Sequence, residues 1–257
     1  MKNILWPTAI SFFFLLPVAA HAQLSLTTGL DYSSGKYGGT RTTTAVEVPV
    51  MLKYEAAPWT FTAYIPYLDV DGVTNVNTGG TVATVDENQS GIGDTVIGGT
   101  YELLPRGGTY GIDIGLKTKL VTADRDNDLL TTGNPDYTVQ SNFYTLLGRG
   151  TFLATLGWTV KGDIRVVDTD GQFYTLNPDN PLSFSLAYSQ PVNPRTQLGI
   201  AYDWRQKLFS DTDDISEISL LLSYRYTAHW RLHSYLLTGL SDASPDTGAG
   251  VFLNYSW

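Results

Sequence analysis

The chain has no cysteine, and among its 257 residues only three are histidine and two methionine. The missing thiol excludes disulfides, thiolate metal sites and a lipid-anchored N-terminus together. Beyond the first residues there is no apolar run long enough to cross a membrane as a helix. Basic residues are also scarce, 16 against 25 acidic. An exported protein of that charge is a poor candidate for nucleic-acid binding.

The one long apolar run lies at the start. Met1-Lys2-Asn3 is a short basic lead, Ile4 to Ala19 is apolar, and Ala20-His21-Ala22 is a small-residue cleavage site before Gln23. Pro7 and Pro17 interrupt the run, which favours a signal peptide over an anchor. The expected organisation is a cleaved signal peptide over 1–22 and one domain over 23–257. Without Lys2 the remainder holds 15 basic and 25 acidic residues, a net charge of −10.

What is abundant is Tyr (16) and Gly (25), set in a period-2 pattern. Gly248 to Trp257 reads GAGVFLNYSW. Val251, Leu253, Tyr255 and Trp257 share one face of a strand; Phe252, Asn254 and Ser256 share the other. The same phase recurs along the chain. Leu24, Leu26, Leu30 and Tyr32 alternate with Ser25, Thr27, Gly29 and Asp31. Val46 to Tyr54 alternate with Glu47, Pro49, Met51 and Lys53. Trp59 to Tyr67, a strand from about Ile92 to Leu104, and Tyr110 to Leu120 continue the series. A strand from Tyr137 to Leu147 follows, then one from Phe152 to Val166 with Ile164 and Val166 outward. Four more strands, near 182–189, 197–207, 217–226 and 230–236, precede the last. Pro49 and Pro66 each remove a ladder donor, so bulges are expected there.

Connections alternate in type. Turns near 56, 106, 149, 193 and 228 are short. Asp69–Ser90, Thr122–Asp136 and Asp168–Pro181 read as long polar loops. Export, no spanning helix, aromatics at strand ends and alternating loop length predict an all-β fold: a single antiparallel up-and-down transmembrane β-barrel of about twelve strands, with short periplasmic turns and longer extracellular loops. The expected location is the bacterial outer membrane. Expected partners are outer-membrane lipids, the barrel-assembly machinery acting on the C-terminal strand, and small-molecule solutes.

Three stretches resemble a known family. Ser90 to Tyr101 (SGIGDTVIGGTY), Ala45 to Tyr54 (AVEVPVMLKY) and Thr62 to Gly72 (TAYIPYLDVDG) are similar to segments of bacterial outer-membrane proteins of the MetA-pathway of phenol degradation type. Glu47, Pro49, Pro66, Gly91, Gly93 and Asp94 match the pattern. The resemblance implies a barrel that passes small molecules, aromatic ones among them, and implies no active site.

The inward phase carries the candidate lumen residues: Asp31, Glu47, Lys53, Asp94, Glu102, Asp113, Lys117, Lys119, Lys161, Asp163, Arg165, Asp203, Arg205, Lys207, Glu217, Arg225, Arg231 and His233. Buried charges are tolerable only beside water or opposite charge. They therefore suit either a polar conduit or a closed, cross-braced interior. Trp59, Tyr67, Trp158, Trp204, Tyr226, Trp230, Tyr255 and Trp257 fall on the outward phase as membrane-interface anchors. No catalytic, cofactor or metal residue is expected. Asp124, Asp126 and Asp128 alternate like calcium ligands, but the Gly and Glu of such a loop are not in place. A passive channel is the leading reading. A non-conducting structural or adhesive barrel is the second. A lipid hydrolase is the third, resting on Ser223 opposite His233, with both facing the lumen rather than lipid.

Overall fold

The computed structural model describes residues 22–39, 41–78, 81–104, 109–123, 130–167 and 173–257. Among them there is no helix, and fifteen strands run in chain order. They are β1 (Gln23–Gly35), β2 (Thr43–Ala56), β3 (Trp59–Thr78), β4 (Thr81–Ile92), β5 (Thr95–Leu104), β6 (Tyr110–Leu120), β7 (Asp136–Leu147) and β8 (Gly150–Val160). Then come β9 (Ile164–Val167), β10 (Phe173–Leu176), β11 (Leu182–Asn193), β12 (Thr196–Arg205), β13 (Ile215–Arg225), β14 (Trp230–Gly239) and β15 (Thr247–Ser256).

Twelve of these close into one antiparallel barrel, in the order β1, β2, β3, β5, β6, β7, β8, β11, β12, β13, β14, β15 and back to β1. Closure is made by Leu26 opposite Tyr255 and Leu30 opposite Val251. A closed sheet has no edge, so every ladder group inside the bilayer finds its partner in the wall. Period-2 patterning sets the two faces. Leu116, Leu220 and Leu236 are each more than 60% exposed on the outside, whereas Asp113, Glu217 and Ser219 are almost wholly buried on the inside. Such an inverted surface belongs in lipid rather than water.

Two glycines are required where they stand. Gly148 opens the β7–β8 turn with φ of +61°, a conformation costly for residues with a Cβ. A Cβ on Gly250 would fall 2.3 Å from Cε1 of Tyr235, the residue directly opposite it on β14.

Three expectations need correction. Asp69–Ser90 is not a loop. The strand runs on to Thr78 and returns as β4, with Tyr67 opposite Ile92 and Thr78 opposite Thr81. Polar residues can extend a hairpin above the bilayer, where neither face needs an apolar partner. The strand expected to end at Val166 instead breaks after Val160, and Ile164 is buried rather than outward. Ile164 begins the separate hairpin β9–β10, whose return strand lies inside the expected loop Asp168–Pro181.

The third correction concerns the prolines. Pro49 and Pro66 sit directly opposite each other in an unshifted β2–β3 register, without a bulge. Their missing donors are absorbed elsewhere. The β1–β2 pairing is interrupted between Thr28–Val50 and Asp31–Glu47, beside Pro49. Pro66 lies where β3 changes partner from β5 to β4.

Candidate functional site

The barrel interior and its outer mouth hold nearly all the buried charge. Asp31 on β1 faces Glu47 on β2 across the ladder. The Tyr235 hydroxyl reaches both carboxylate oxygens of Asp31 at 2.7 Å. Asp203 on β12 faces Glu217 on β13, and Ser185 donates to Asp203 at 2.5 Å. Arg205 lies further along the inner face of β12. Glu102 on β5 faces Asp113 on β6, and Asp113 accepts a hydrogen bond from Tyr144 at 2.8 Å. Lys117 and Lys119 follow Asp113 on the same inner face of β6.

Near the short turns, Lys53 pairs with Glu55 at 3.0 Å. Arg231 and His233 are half-buried on β14, His233 opposite Ser223 and Arg231 opposite Arg225. Arg225 is at the rim, exposed, with its guanidinium 3.4 Å from the Pro194 carbonyl oxygen. Ser223 and His233 share the inner face, away from lipid.

Two other expected lumen residues lie off the barrel wall. Asp163 is exposed between β8 and β9, its carbonyl accepting from Asn134 at 2.6 Å, and Arg165 lies on β9. Both followed from extending β8 too far. Lys207 has left β12 for the following loop, where it donates to the Ser210 carbonyl at 3.0 Å. Asp124, Asp126 and Asp128 lie outside the described residues.

The outer mouth is built from residues that the sequence did not group. Lys119 Nζ stands 3.3 Å from Asp94 and 3.4 Å from Asp136. Lys161, just beyond β8, reaches Asp136 at 2.7 Å. Asp136 also accepts the Gly162 N–H at 3.0 Å. Asp94 accepts Thr131 at 2.7 Å and the N–H groups of Thr122 and Ala123 at 3.2 and 3.3 Å. Lys119 donates to Thr132 as well. The alternating acid, base, acid, base chain thus ties both ends of the β6–β7 connection to the wall. Its charges are compensated, which buried ions require. Burial pushes the Lys161 amine down to about 7, against the pull of the Asp136 carboxylate.

An apolar contact completes this closure. Ala123 and Leu130 of the connection pack on Leu68 and Val70, which point inward from β3. A signal for it was available: Leu68 and Val70 break the polar inner phase of their strand, and apolar side chains turned inward need an apolar partner.

The outer face carries the expected aromatics. Trp59, Tyr226, Trp230, Tyr255 and Trp257 gather at the short-turn end, where the rings of Trp230 and Tyr255 are 4.7 Å apart and those of Tyr255 and Trp257 4.9 Å. Tyr67, Trp158 and Trp204 stand nearer the long-loop end. His229 Nδ1 meets the Ser256 carbonyl at 2.7 Å and anchors the last turn to the last strand. Among the described residues no group of His, Asp and Glu is arranged to hold a metal ion.

Known structures share this architecture. An outer membrane channel from Pseudomonas putida F1 superposes with a TM-score of 0.71 at 14% identity, covering 93% of this chain and 97% of that one. The NanC porin gives 0.56 at 12% identity, covering 90% and 98%. The β domain of the Bordetella autotransporter BrkA gives 0.54 at 11%, covering 91% and 99%. At such identities the likeness establishes the outer-membrane barrel fold. No curated protein matches the chain. The sequence family described as MetA-pathway of phenol degradation matches residues 20–257, and the chain belongs to that family.

Proposed function

We propose that the protein is an outer-membrane channel for the passive passage of small solutes, aromatic and other small organic molecules among them, and that it is not an enzyme. The observation that carries this reading is a closed twelve-strand wall with a charged inner face under an apolar outer one. A barrel acting only as a scaffold has no need to bury Glu217, Asp113, Lys119 and Asp136 where apolar residues would pack at lower cost. On this reading the segment over 1–22 directs export and is removed, and the C-terminal strand engages the barrel-assembly machinery. The inward charges of the wall line the path, and the outward aromatics contact outer-membrane lipid.

The test is osmotic swelling of liposomes holding the refolded mature protein. Small polar solutes should enter faster than into protein-free liposomes, with rates falling as solute size rises. Equal rates with and without folded protein would contradict the proposal and leave a structural or adhesive role.

A further inference from the structure

The short-turn end of β11 to β14 is basic in a chain that is acidic overall. Residues 187–202 and 218–241 hold no Asp or Glu. They hold Arg195 in the β11–β12 turn, Arg225 at the end of β13 and Arg231 near the start of β14. The fold brings these three together. Arg225 stands directly opposite Arg231 across the ladder. Its backbone N–H donates to the Arg195 carbonyl at 2.8 Å. Its guanidinium turns sideways along the rim to the Pro194 carbonyl, 3.4 Å away, in the turn that carries Arg195.

Like charges directly opposed in a ladder are destabilising. At the long-loop end, carboxylates compensate the buried lysines. Among the described residues no carboxylate stands within ion-pair distance of these three arginines. The charge that acts on Arg231 is that of Arg225, and it repels. Arg195 and Arg225 are exposed. The aromatic neighbours set the depth of the cluster. Tyr226, 69% exposed, follows Arg225 on the outward phase, and Trp230 precedes Arg231. Exposed Tyr and Trp sit at the headgroup level of a bilayer. Phosphate is the anion of that layer, and guanidinium binds it through paired, charge-assisted hydrogen bonds.

We propose that Arg195, Arg225 and Arg231 form a docking site for the phosphodiester headgroup of an anionic phospholipid in the periplasmic leaflet. The negative charge of the lipid offsets the repulsion between the arginines, and its acyl chains lie on the outward face beside Tyr226 and Trp230. A zwitterionic phospholipid brings an ammonium with its phosphate and gains less. The site stands apart from the channel reading and holds whether or not the lumen conducts.

The experiment places the refolded mature protein in nanodiscs holding equal amounts of phosphatidylglycerol and phosphatidylethanolamine, and counts the lipids retained on the folded barrel by native mass spectrometry. Phosphatidylglycerol is expected to be retained in preference. Arg225→Gln and Arg195→Gln, both at exposed positions, should each weaken its retention about fivefold. Lys36→Gln removes an exposed charge at the long-loop end and should leave retention unchanged. Equal retention of the two lipids by the wild type would overturn the proposal. So would an equal loss in Lys36→Gln, which would make net charge the cause. Displacement of the lipid by inorganic phosphate, but not by chloride at the same ionic strength, would overturn it too, because the site would then read a free anion.

Discussion

Two connections close over the long-loop end of the barrel by different chemistry. The β6–β7 connection is held by charge, through Asp94, Lys119, Asp136 and Lys161, and by the apolar contact of Leu130 with Leu68 and Val70. The β14–β15 connection is held by hydroxyls. Ser244, almost wholly buried, accepts the Ser216 N–H at 2.9 Å and donates back to the Ser216 carbonyl at 2.8 Å. Ser241 contacts it at 2.7 Å. The short loop stays near its own strands and needs only to extend their ladder. The longer one reaches inward and must bring its own counter-charges and its own small core. The hydroxyl anchor is neutral and should ignore salt and pH, whereas the β6–β7 anchor is ionic and should respond to both.

Breaking the ionic anchor should have the largest effect. Asp136→Ala takes from Lys119 and Lys161 the carboxylate they share, at a cost of about 3 to 5 kcal/mol. This should appear as a lower temperature for loss of the folded form on electrophoresis, with Asp136→Asn losing less. Next comes Leu130→Ala, which opens a cavity against Leu68 and Val70 and costs about 2 to 5 kcal/mol, read by the same assay. Ser244→Ala strands the Ser216 N–H and should cost about 1 to 3 kcal/mol, with no dependence on ionic strength.

The smallest effect sharpens the contrast through pH. Folded Lys161 releases its proton near pH 7, and the unfolded chain holds it up to the ordinary lysine range. Between those limits the unfolded state binds more protons, so the Lys161 contribution to stability rises with pH and is flat below about 7. Lys161→Met should remove that part of the slope in thermal unfolding measured from pH 6 to 10. Ser244→Ala should leave it intact.

The barrel was legible in the sequence because lipid enforces a strict rule on each outward residue. From Leu24 to Trp257 the outward phase reads without knowledge of any contact. Above the bilayer that rule lapses. The polar run after Asp69 continues as a hairpin, and Ile164 turns inward on a strand of its own. The mouth was only half legible for a related reason. Asp94, Lys119 and Lys161 appeared as inward charges, but Asp136 sat at the edge of an expected loop. Nothing in one-dimensional spacing brings Leu130 to Leu68. Such contacts depend on how a long connection folds back, which period-2 patterning does not encode.

On the proposed function, the lumen conducts and its outer mouth is narrowed by an ionic anchor. Single-channel conductance in planar bilayers tests it most directly, comparing wild type, Asp136→Ala and Ser244→Ala. Discrete small steps are expected in the wild type, larger or more frequently open steps in Asp136→Ala, and wild-type steps in Ser244→Ala. Silent bilayers from folded wild type and folded Asp136→Ala alike would contradict it.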